Sequence, residues 1–216
     1  MMEGLRFVLG NRLLRAIAMT TGSGNLFGNI AFTMLLVLLA DGLALPPGAI
    51  GLFLSISAAG GLGAALIARR VAAALGQGPT IWMVLAVTSP FGLLAPLAER
   101  GPLLWVAAFG MAVSWCGSVV YNITQVSFRQ GLTPERLLGR MNATMRFLVW
   151  GTIPLGAFVS GVLGEWVGVR PAIWIGAIGG CLAFLPVFLS PLRTMRELPK
   201  EPEPESTVED EAATLP

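Results

Sequence analysis

Residues 101–128 read GPLLWVAAFGMAVSWCGSVVYNITQVSF, which is 28 consecutive residues without a charged side chain. A helix needs about 20 mainly apolar residues to cross a hydrocarbon core about 30 Å thick. A buried helix of a soluble protein rarely keeps such a composition over this length. This stretch therefore predicts a transmembrane helix.

Five further charge-free runs of 18 to 28 residues flank it on both sides. In chain order they cover residues 16–40, 42–68, 71–98, 147–164 and 171–192. Only 12% of the 216 residues are charged, against about 25% in soluble domains. We therefore expect an all-α, polytopic membrane protein with six transmembrane helices, numbered as spans 1 to 6.

The composition also limits the possible chemistry. The chain contains no histidine, so an imidazole base or imidazole metal ligand is excluded. No nucleophile and base pair, metal-ligand cluster or phosphate-binding loop is recognisable, and no ionisable residue lies deep within a span. We expect a protein that is not an enzyme, that holds no metal or other cofactor and that binds no nucleic acid.

Basic residues separate between the two ends of the predicted bundle. The connections at one end, the arginine-poor end, contain Arg100 and Arg170. The arginine-rich end contains twelve basic residues: Arg6, Arg12, Arg15, Arg69, Arg70, Arg129, Arg136, Arg140, Arg146, Arg193, Arg196 and Lys200. Because Lys and Arg beside a span are retained in the cytoplasm, the arginine-rich end is predicted to be cytoplasmic. The protein would then lie in the cell (inner) membrane, with membrane lipid around the spans and both termini in the cytoplasm.

The chain divides into three segments. Residues 1–15 place Leu5, Val8 and further apolar residues on one helical face, which predicts an amphipathic cytoplasmic lead-in at the membrane surface. Residues 16–192 form the predicted six-helix bundle. Residues 193–216 hold seven of the twelve acidic residues together with several prolines, which predicts a disordered, acidic cytoplasmic tail.

Spans 1 and 4 carry stripes of uncharged polar side chains. The stripe of span 1 contains Thr21, Asn25 and Asn29 at four-residue steps. The stripe of span 4 contains Ser118, Tyr121, Asn122 and Gln125, which fall within about 140° of the helix circumference. An amide inside a membrane must be bonded to protein or be in contact with water. The stripes therefore either bond helices together or line a substrate path, and their spacing allows both interpretations.

Spans 2 and 5 carry small residues at four-residue steps. The ladder of span 2 runs from Gly51 to Gly63, and that of span 5 includes Gly156 and Gly164. Small residues at this spacing allow helix backbones to approach closely. We expect both ladders to be helix-packing surfaces.

Four stretches of the chain resemble one family of membrane proteins. They are EGLRFVLGNRLLRA (3–16), GGLGAALIARRVAAALG (60–76), TPERLLGRMNA (133–143) and SPLRTMRELP (190–199). Together they resemble the carboxy-terminal half of a major facilitator superfamily transporter. The resemblance is to the bacterial efflux branch that includes enterobactin-type siderophore exporters and macrolide efflux proteins. It covers nearly the whole chain up to the acidic tail.

This resemblance implies an architecture. Each six-helix half of such a transporter consists of two inverted three-helix repeats. The first and fourth helices line the central cavity, which favours a substrate path along the stripes of spans 1 and 4. The second and fifth helices meet the opposite half, where the ladders of spans 2 and 5 would then lie.

The resemblance also implies cytoplasmic gating loops. Arg69 and Arg70 correspond to the basic loop after span 2, and Arg140 with Asn142 to the matching loop before span 5. The acidic residue that often accompanies such loops is not beside Arg69 and Arg70. The alternative interpretation is that these arginines only anchor the topology.

The function implied is efflux of a small amphipathic molecule, of drug or siderophore type, by alternating access. Such families usually couple export to proton antiport, and the proton-carrying acid would come from the other half. Six helices are half a transporter, so we expect either a missing amino-terminal half, which the lead-in favours, or a homodimer partner. The alternative function is a non-transporting membrane scaffold or an inactive truncated remnant.

Overall fold

The computed structural model describes residues 2–195, in which the chain forms nine α-helices. The helices are α1 (Met2–Gly10), α2 (Arg12–Val37), α3 (Pro47–Leu75), α4 (Gln77–Thr88), α5 (Pro102–Gly131), α6 (Glu135–Trp150), α7 (Thr152–Trp166), α8 (Val169–Leu182) and α9 (Leu185–Phe188). A π-type turn (Leu38–Gly42) extends α2, a 3-10 segment (Ser89–Leu97) extends α4, and a 3-10 turn (Pro191–Thr194) follows α9. Residues 2–195 contain no β-strand, so the all-α prediction is confirmed.

These helices form six segments that are long and apolar enough to cross a membrane. The six spans are Arg12–Gly42, Pro47–Leu75, Gln77–Leu97, Pro102–Gly131, Glu135–Trp166 and Val169–Phe188. They match the six charge-free runs in number and order. The prediction of a polytopic membrane protein with six helices is therefore confirmed.

Span 2 extends beyond its charge-free run. Arg69 and Arg70 are exposed residues of α3, which continues to Leu75. The connection to span 3 is Gly76, whose φ of +87° lies in the region that favours glycine. The prediction of a loop at Arg69 and Arg70 was wrong, because charges on the exposed side of a helix do not end it.

Span 5 begins at Glu135 rather than at residue 147. Its first helix, α6, is amphipathic: Met141 and Met145 are fully buried, while Arg140 is exposed. Arg140 and Asn142 therefore lie on a helix, and their predicted loop location was wrong. Apolar residues at helical spacing continue the helix through its charged turns.

Span 5 is interrupted at Gly151, between α6 and α7. Pro154 has no backbone N–H, so the regular hydrogen-bond ladder cannot pass this point. The missing donor is that of the Trp150 carbonyl, and the carbonyl before it, of Val149, accepts two side-chain bonds, from Asn25 Nδ2 at 3.2 Å and from Thr152 Oγ1 at 2.7 Å. Because Asn25 belongs to span 1, the interruption in span 5 is bonded to span 1.

Helix packing repeats between the two halves of the bundle. Span 1 packs against spans 5 and 6, and span 4 packs in the same way against spans 2 and 3. Spans 3 and 6, which correspond, also contact each other. Exchanging spans 1–3 with spans 4–6 therefore reproduces the pattern of contacts. Three is odd, so the second repeat runs through the bundle in the opposite direction, as in half of a facilitator fold.

The two small-residue ladders have different surroundings. A Cβ atom built on Gly156 would lie 2.7 Å from the Leu26 carbonyl oxygen, and one on Gly164 would lie 2.9 Å from Met34 Sδ. The span 5 ladder therefore packs against span 1 of this chain. Gly51 and Gly63 are exposed, and a Cβ on either would meet nothing within 4 Å in the described residues. Within the described residues the span 2 ladder packs against no other helix, so its role as a helix-packing surface stays a prediction.

The closest helix approaches occur at glycines outside the two ladders. Gly60 of span 2 lies against the backbone of Ala112 in span 4. Gly176 of span 6 lies against the backbone of span 1 at Phe27 and Ala31. Any side chain at these glycines would enter the neighbouring backbone. Each of these two sites sets the distance between a central span and one neighbour, span 4 and span 2 at Gly60 and span 1 and span 6 at Gly176.

The lead-in is packed against the bundle at the arginine-rich end. Val8 of α1 is 0% exposed and lies in one apolar cluster with Met141 and Met145 of α6. The lead-in ends at Asn11, whose side-chain oxygen accepts bonds from the first turn of α2. Span 1 therefore starts four residues before the predicted boundary at residue 16. The predicted tail, from residue 196 onward, lies outside the described residues.

Candidate functional site

A cavity of about 670 Å³ lies in the middle of the bundle. Residues of spans 1, 3, 4, 5 and 6 line it, with span 1 and span 4 contributing most of the polar groups. The predicted path residues in its wall are Thr21, Asn25, Asn29, Ser118, Tyr121 and Asn122. The structure thus places both polar stripes on one cavity.

Spans 1 and 4 contact each other across the two stripes. Thr21 Oγ1 and the Tyr121 hydroxyl lie 2.6 Å apart and share a hydrogen bond. Nearer the arginine-poor end, the rings of Phe32 and Trp115 are in contact with their centroids 6.3 Å apart and their planes tilted by 45°. Both aromatic side chains line the cavity. The two stripes are therefore parts of one surface that is polar at one level and aromatic at another.

The stripe residues differ in how open they are. Ser118 and Asn122 are exposed, and Asn25 and Asn29 are half-buried. Gln125 is 2% exposed and does not line the cavity, which differs from the prediction. Its Nε2 donates to Asn122 Oδ1 at 2.9 Å, so it acts on the cavity wall through Asn122. Gln125 lies at the edge of the stripe, where its side chain is buried between packed helices instead of facing the cavity.

The two interpretations of the stripes both describe part of the site. The bonds of Thr21 to Tyr121 and of Asn25 to Val149 join different spans, as the helix-bonding interpretation requires. Asn122 and Ser118 instead present polar atoms to open space. Thr21, Asn25 and Tyr121 therefore bond spans to each other and also border the cavity, whereas Ser118 and Asn122 border it without a bond to another span.

The cavity wall combines aromatic and uncharged polar groups. Phe32, Trp115 and Trp150 supply aromatic rings, while Asn29 and Asn122 supply amides that can donate and accept hydrogen bonds. Among the described residues that line the cavity, none is charged. Residues 2–195 also contain no group of three or more metal-ligating side chains. Such a wall can bind apolar and hydrogen-bonding parts of a ligand without an ion pair.

The predicted gating residues lie at the arginine-rich end on two separate helices. Arg69 borders a cleft of about 290 Å³ between spans 2 and 4. Asn142 borders a surface depression of about 590 Å³ on span 5, beside Arg146 and Trp150. The guanidinium of Arg146 lies 5.3 Å above the centre of the Trp150 ring. Trp150 also lines the central cavity, so this one aromatic side chain borders both the depression and the cavity.

The fold and site together define a multi-pass membrane protein with an uncharged, polar and aromatic cavity between inverted repeats. A family model described as Major Facilitator Superfamily matches residues 17–215, and the chain belongs to this superfamily. Its members are membrane transport proteins. Neither a curated protein nor a solved structure matches the chain.

Proposed function

We propose that this protein exports a small amphipathic molecule, of drug or siderophore type, by alternating access. The observation that carries the proposal is the single cavity bordered by the polar stripes of spans 1 and 4. Its aromatic rings suit the apolar part of such a molecule, and Asn29 and Asn122 suit its hydrogen-bonding groups. The efflux branch suggested by the sequence agrees with this wall.

We further propose that the chain is the carboxy-terminal half and works with a second six-helix body. Alternating access requires two bundles that rock about a shared site. Ser118 and Asn122 bond within their own helix, to Ser114 and Gln125, but both are exposed in a segment that a membrane would surround, where polar groups in contact with lipid are costly. A second body over the cavity would cover them. Either an amino-terminal half or a second copy of this chain meets that need.

Export coupled to protons would require an acid from that second body. The described wall of the cavity has no carboxylate, and a membrane-embedded proton relay normally uses Asp, Glu or His. We propose the cell (inner) membrane as the location, with the arginine-rich end and both termini in the cytoplasm. Arg69, Arg70, Arg140 and Asn142 would then lie where a cytoplasmic gate closes.

Replacing Asn29 or Asn122 with Ala is expected to reduce export about three- to tenfold, the effect of losing one hydrogen bond to substrate. The assay is efflux of the fluorescent amphipathic dyes ethidium, rhodamine 6G and Nile red from cells expressing the full coding sequence. Ser23→Ala is the matched control, because Ser23 is on span 1 but bonds its own helix at Met19. Efflux by Asn29→Ala and Asn122→Ala equal to that of Ser23→Ala, at equal protein levels, would remove the two amides from the transport path. No efflux above background by the unsubstituted protein would support the scaffold function instead.

A further inference from the structure

Two arginines cross between connections at the arginine-poor end. Arg100, in the connection between spans 3 and 4, donates from Nε to the Leu43 carbonyl at 2.7 Å and from a terminal nitrogen to the Ala44 carbonyl at 3.0 Å. Leu43 and Ala44 lie in the connection between spans 1 and 2. One guanidinium therefore joins two connections through a pair of hydrogen bonds.

Arg170 makes a second crossing of the same kind. It lies in the first turn of α8, in span 6, and its two terminal nitrogens donate to the carbonyls of Pro96 at 3.2 Å and Ala98 at 3.0 Å. It also forms an ion pair with Glu99 at 3.6 Å. All three acceptors lie at the end of span 3 and just beyond it. Arg170 thus joins the second three-helix repeat to the first.

The acceptors explain why arginine is used at both positions. The last carbonyls of a helix have no intrahelical donor, and the helix dipole makes this end negative. Leu43 and Ala44 follow the last turn of span 1, and Pro96 and Ala98 are at the end of span 3. A guanidinium is planar and presents several N–H groups in a fixed fork, so it can satisfy two carbonyls at once. A lysine offers a compact ammonium without this fork.

The membrane topology does not explain why Arg100 and Arg170 are basic. If the arginine-poor end faces outward, basic residues there oppose the positive-inside preference. Among the described residues at this end, Arg100 in a connection and Arg170 in the first turn of α8 are the basic residues, and both are bonded to carbonyl groups. A structural contribution is therefore needed to account for their positions.

We propose that Arg100 and Arg170 form a clasp that makes the arginine-poor end of the bundle one rigid body: Arg170 holds the second three-helix repeat to the first, and Arg100 holds the connection that leads into the second repeat to the connection between spans 1 and 2. Arg170 fixes span 6 to the end of span 3. Arg100 fixes the connection between spans 3 and 4 to the residues that follow span 1. The clasp makes the bundle move as a unit when the protein changes conformation. It concerns the internal rigidity of this chain and does not depend on which molecule is transported.

Amide hydrogen exchange of the protein, produced from its full coding sequence and placed in lipid nanodiscs, tests the clasp. Two amides report on it: Leu45 N, which donates to Leu39 O, and Ala98 N, which donates to Ala95 O. Arg100→Gln is expected to speed exchange at residues 43–46, and Arg170→Gln at residues 95–99, by about three- to tenfold. Arg136→Gln, at an exposed position of α6, is the matched control and should change neither segment.

Arg170→Lys keeps the positive charge and removes the fork of N–H groups. If the Gln variants fail to fold, this variant tests whether the fork is what holds the end of span 3. It is expected to speed exchange at residues 95–99 while leaving dye export measurable. Unchanged exchange at both segments in the folded Arg variants would overturn the clasp. Export can fail in all variants for other reasons, whereas faster exchange confined to these two segments, and absent in Arg136→Gln, reports on the clasp.

Discussion

Gly176→Ala is expected to lower the free energy of unfolding by about 1 to 3 kcal/mol, the cost of overpacking a close helix contact. A Cβ atom there would lie 2.5 Å from the backbone nitrogen of Ala31 and 2.8 Å from the carbonyl oxygen of Phe27. These are backbone atoms of span 1 and cannot turn aside as a flexible side chain can. Spans 1 and 6 would have to separate along their length.

Gly180→Ala is the matched control for this substitution. Gly180 lies one turn further along α8, and a Cβ on it would meet nothing within 4 Å in the described residues. Thermal unfolding of both variants in the same detergent measures the difference. The expected result is a clear loss of Tm for Gly176→Ala and none for Gly180→Ala. Equal Tm values would contradict the packing of spans 1 and 6 described above.

Gly28→Trp is expected to reduce export close to background while leaving the fold intact. Gly28 lines the central cavity and is exposed, and a Cβ atom built on it would meet nothing within 4 Å among the described residues. An indole at this position would therefore occupy the cavity rather than enter a neighbouring helix. Loss of export would follow because the substrate and the indole need the same space.

Val87→Trp controls for the size of the new side chain. Val87 is 64% exposed on span 3 and does not line the cavity. Dye efflux and thermal unfolding are measured for both variants. The expected pattern is a normal Tm for both and loss of efflux for Gly28→Trp only. Efflux by Gly28→Trp at the level of the unsubstituted protein would remove the cavity from the transport path.

The number and order of the spans could be predicted from the sequence because a bilayer imposes a length of apolar helix on each crossing. The extent of spans 2 and 5 could not. Arg69 and Arg140 lie on helices, but the charge-free criterion ended span 2 at residue 68 and began span 5 only at residue 147, so it left both residues outside the spans. A charged residue at the membrane surface is compatible with a helix, and only the buried residues on its other face show that the helix continues.

The site could be predicted in part. Four-residue spacing correctly grouped Asn25 and Asn29 on one face of span 1, and the structure places that face on the cavity. Spacing does not say which neighbour a face meets. For that reason the exposed Gly63 and the closely packed Gly60 were not distinguished, and Gln125 was assigned to the cavity although it is buried beside it.

The clasp was not predicted, although the sequence contained a signal for it. Arg100 and Arg170 are exceptions to an otherwise strict separation of basic residues between the two ends. Arg100 directly follows Glu99, with which Arg170 forms its ion pair. A residue that opposes the topology preference requires a specific partner. The carbonyl groups that serve as partners become identifiable only when the helix ends are placed in space.

Cysteine accessibility tests most directly whether the stripes of spans 1 and 4 border a water-filled cavity. The background carries Cys116→Ala and Cys181→Ala, which removes both native cysteines. Asn122→Cys is compared with Val87→Cys, an exposed position of span 3 outside the cavity. A charged, water-soluble thiol reagent added to open membrane fragments should label the cysteine at position 122 and leave the one at position 87, in contact with lipid, unlabelled. Protection of both positions would contradict the cavity and reduce the stripes to contacts between helices.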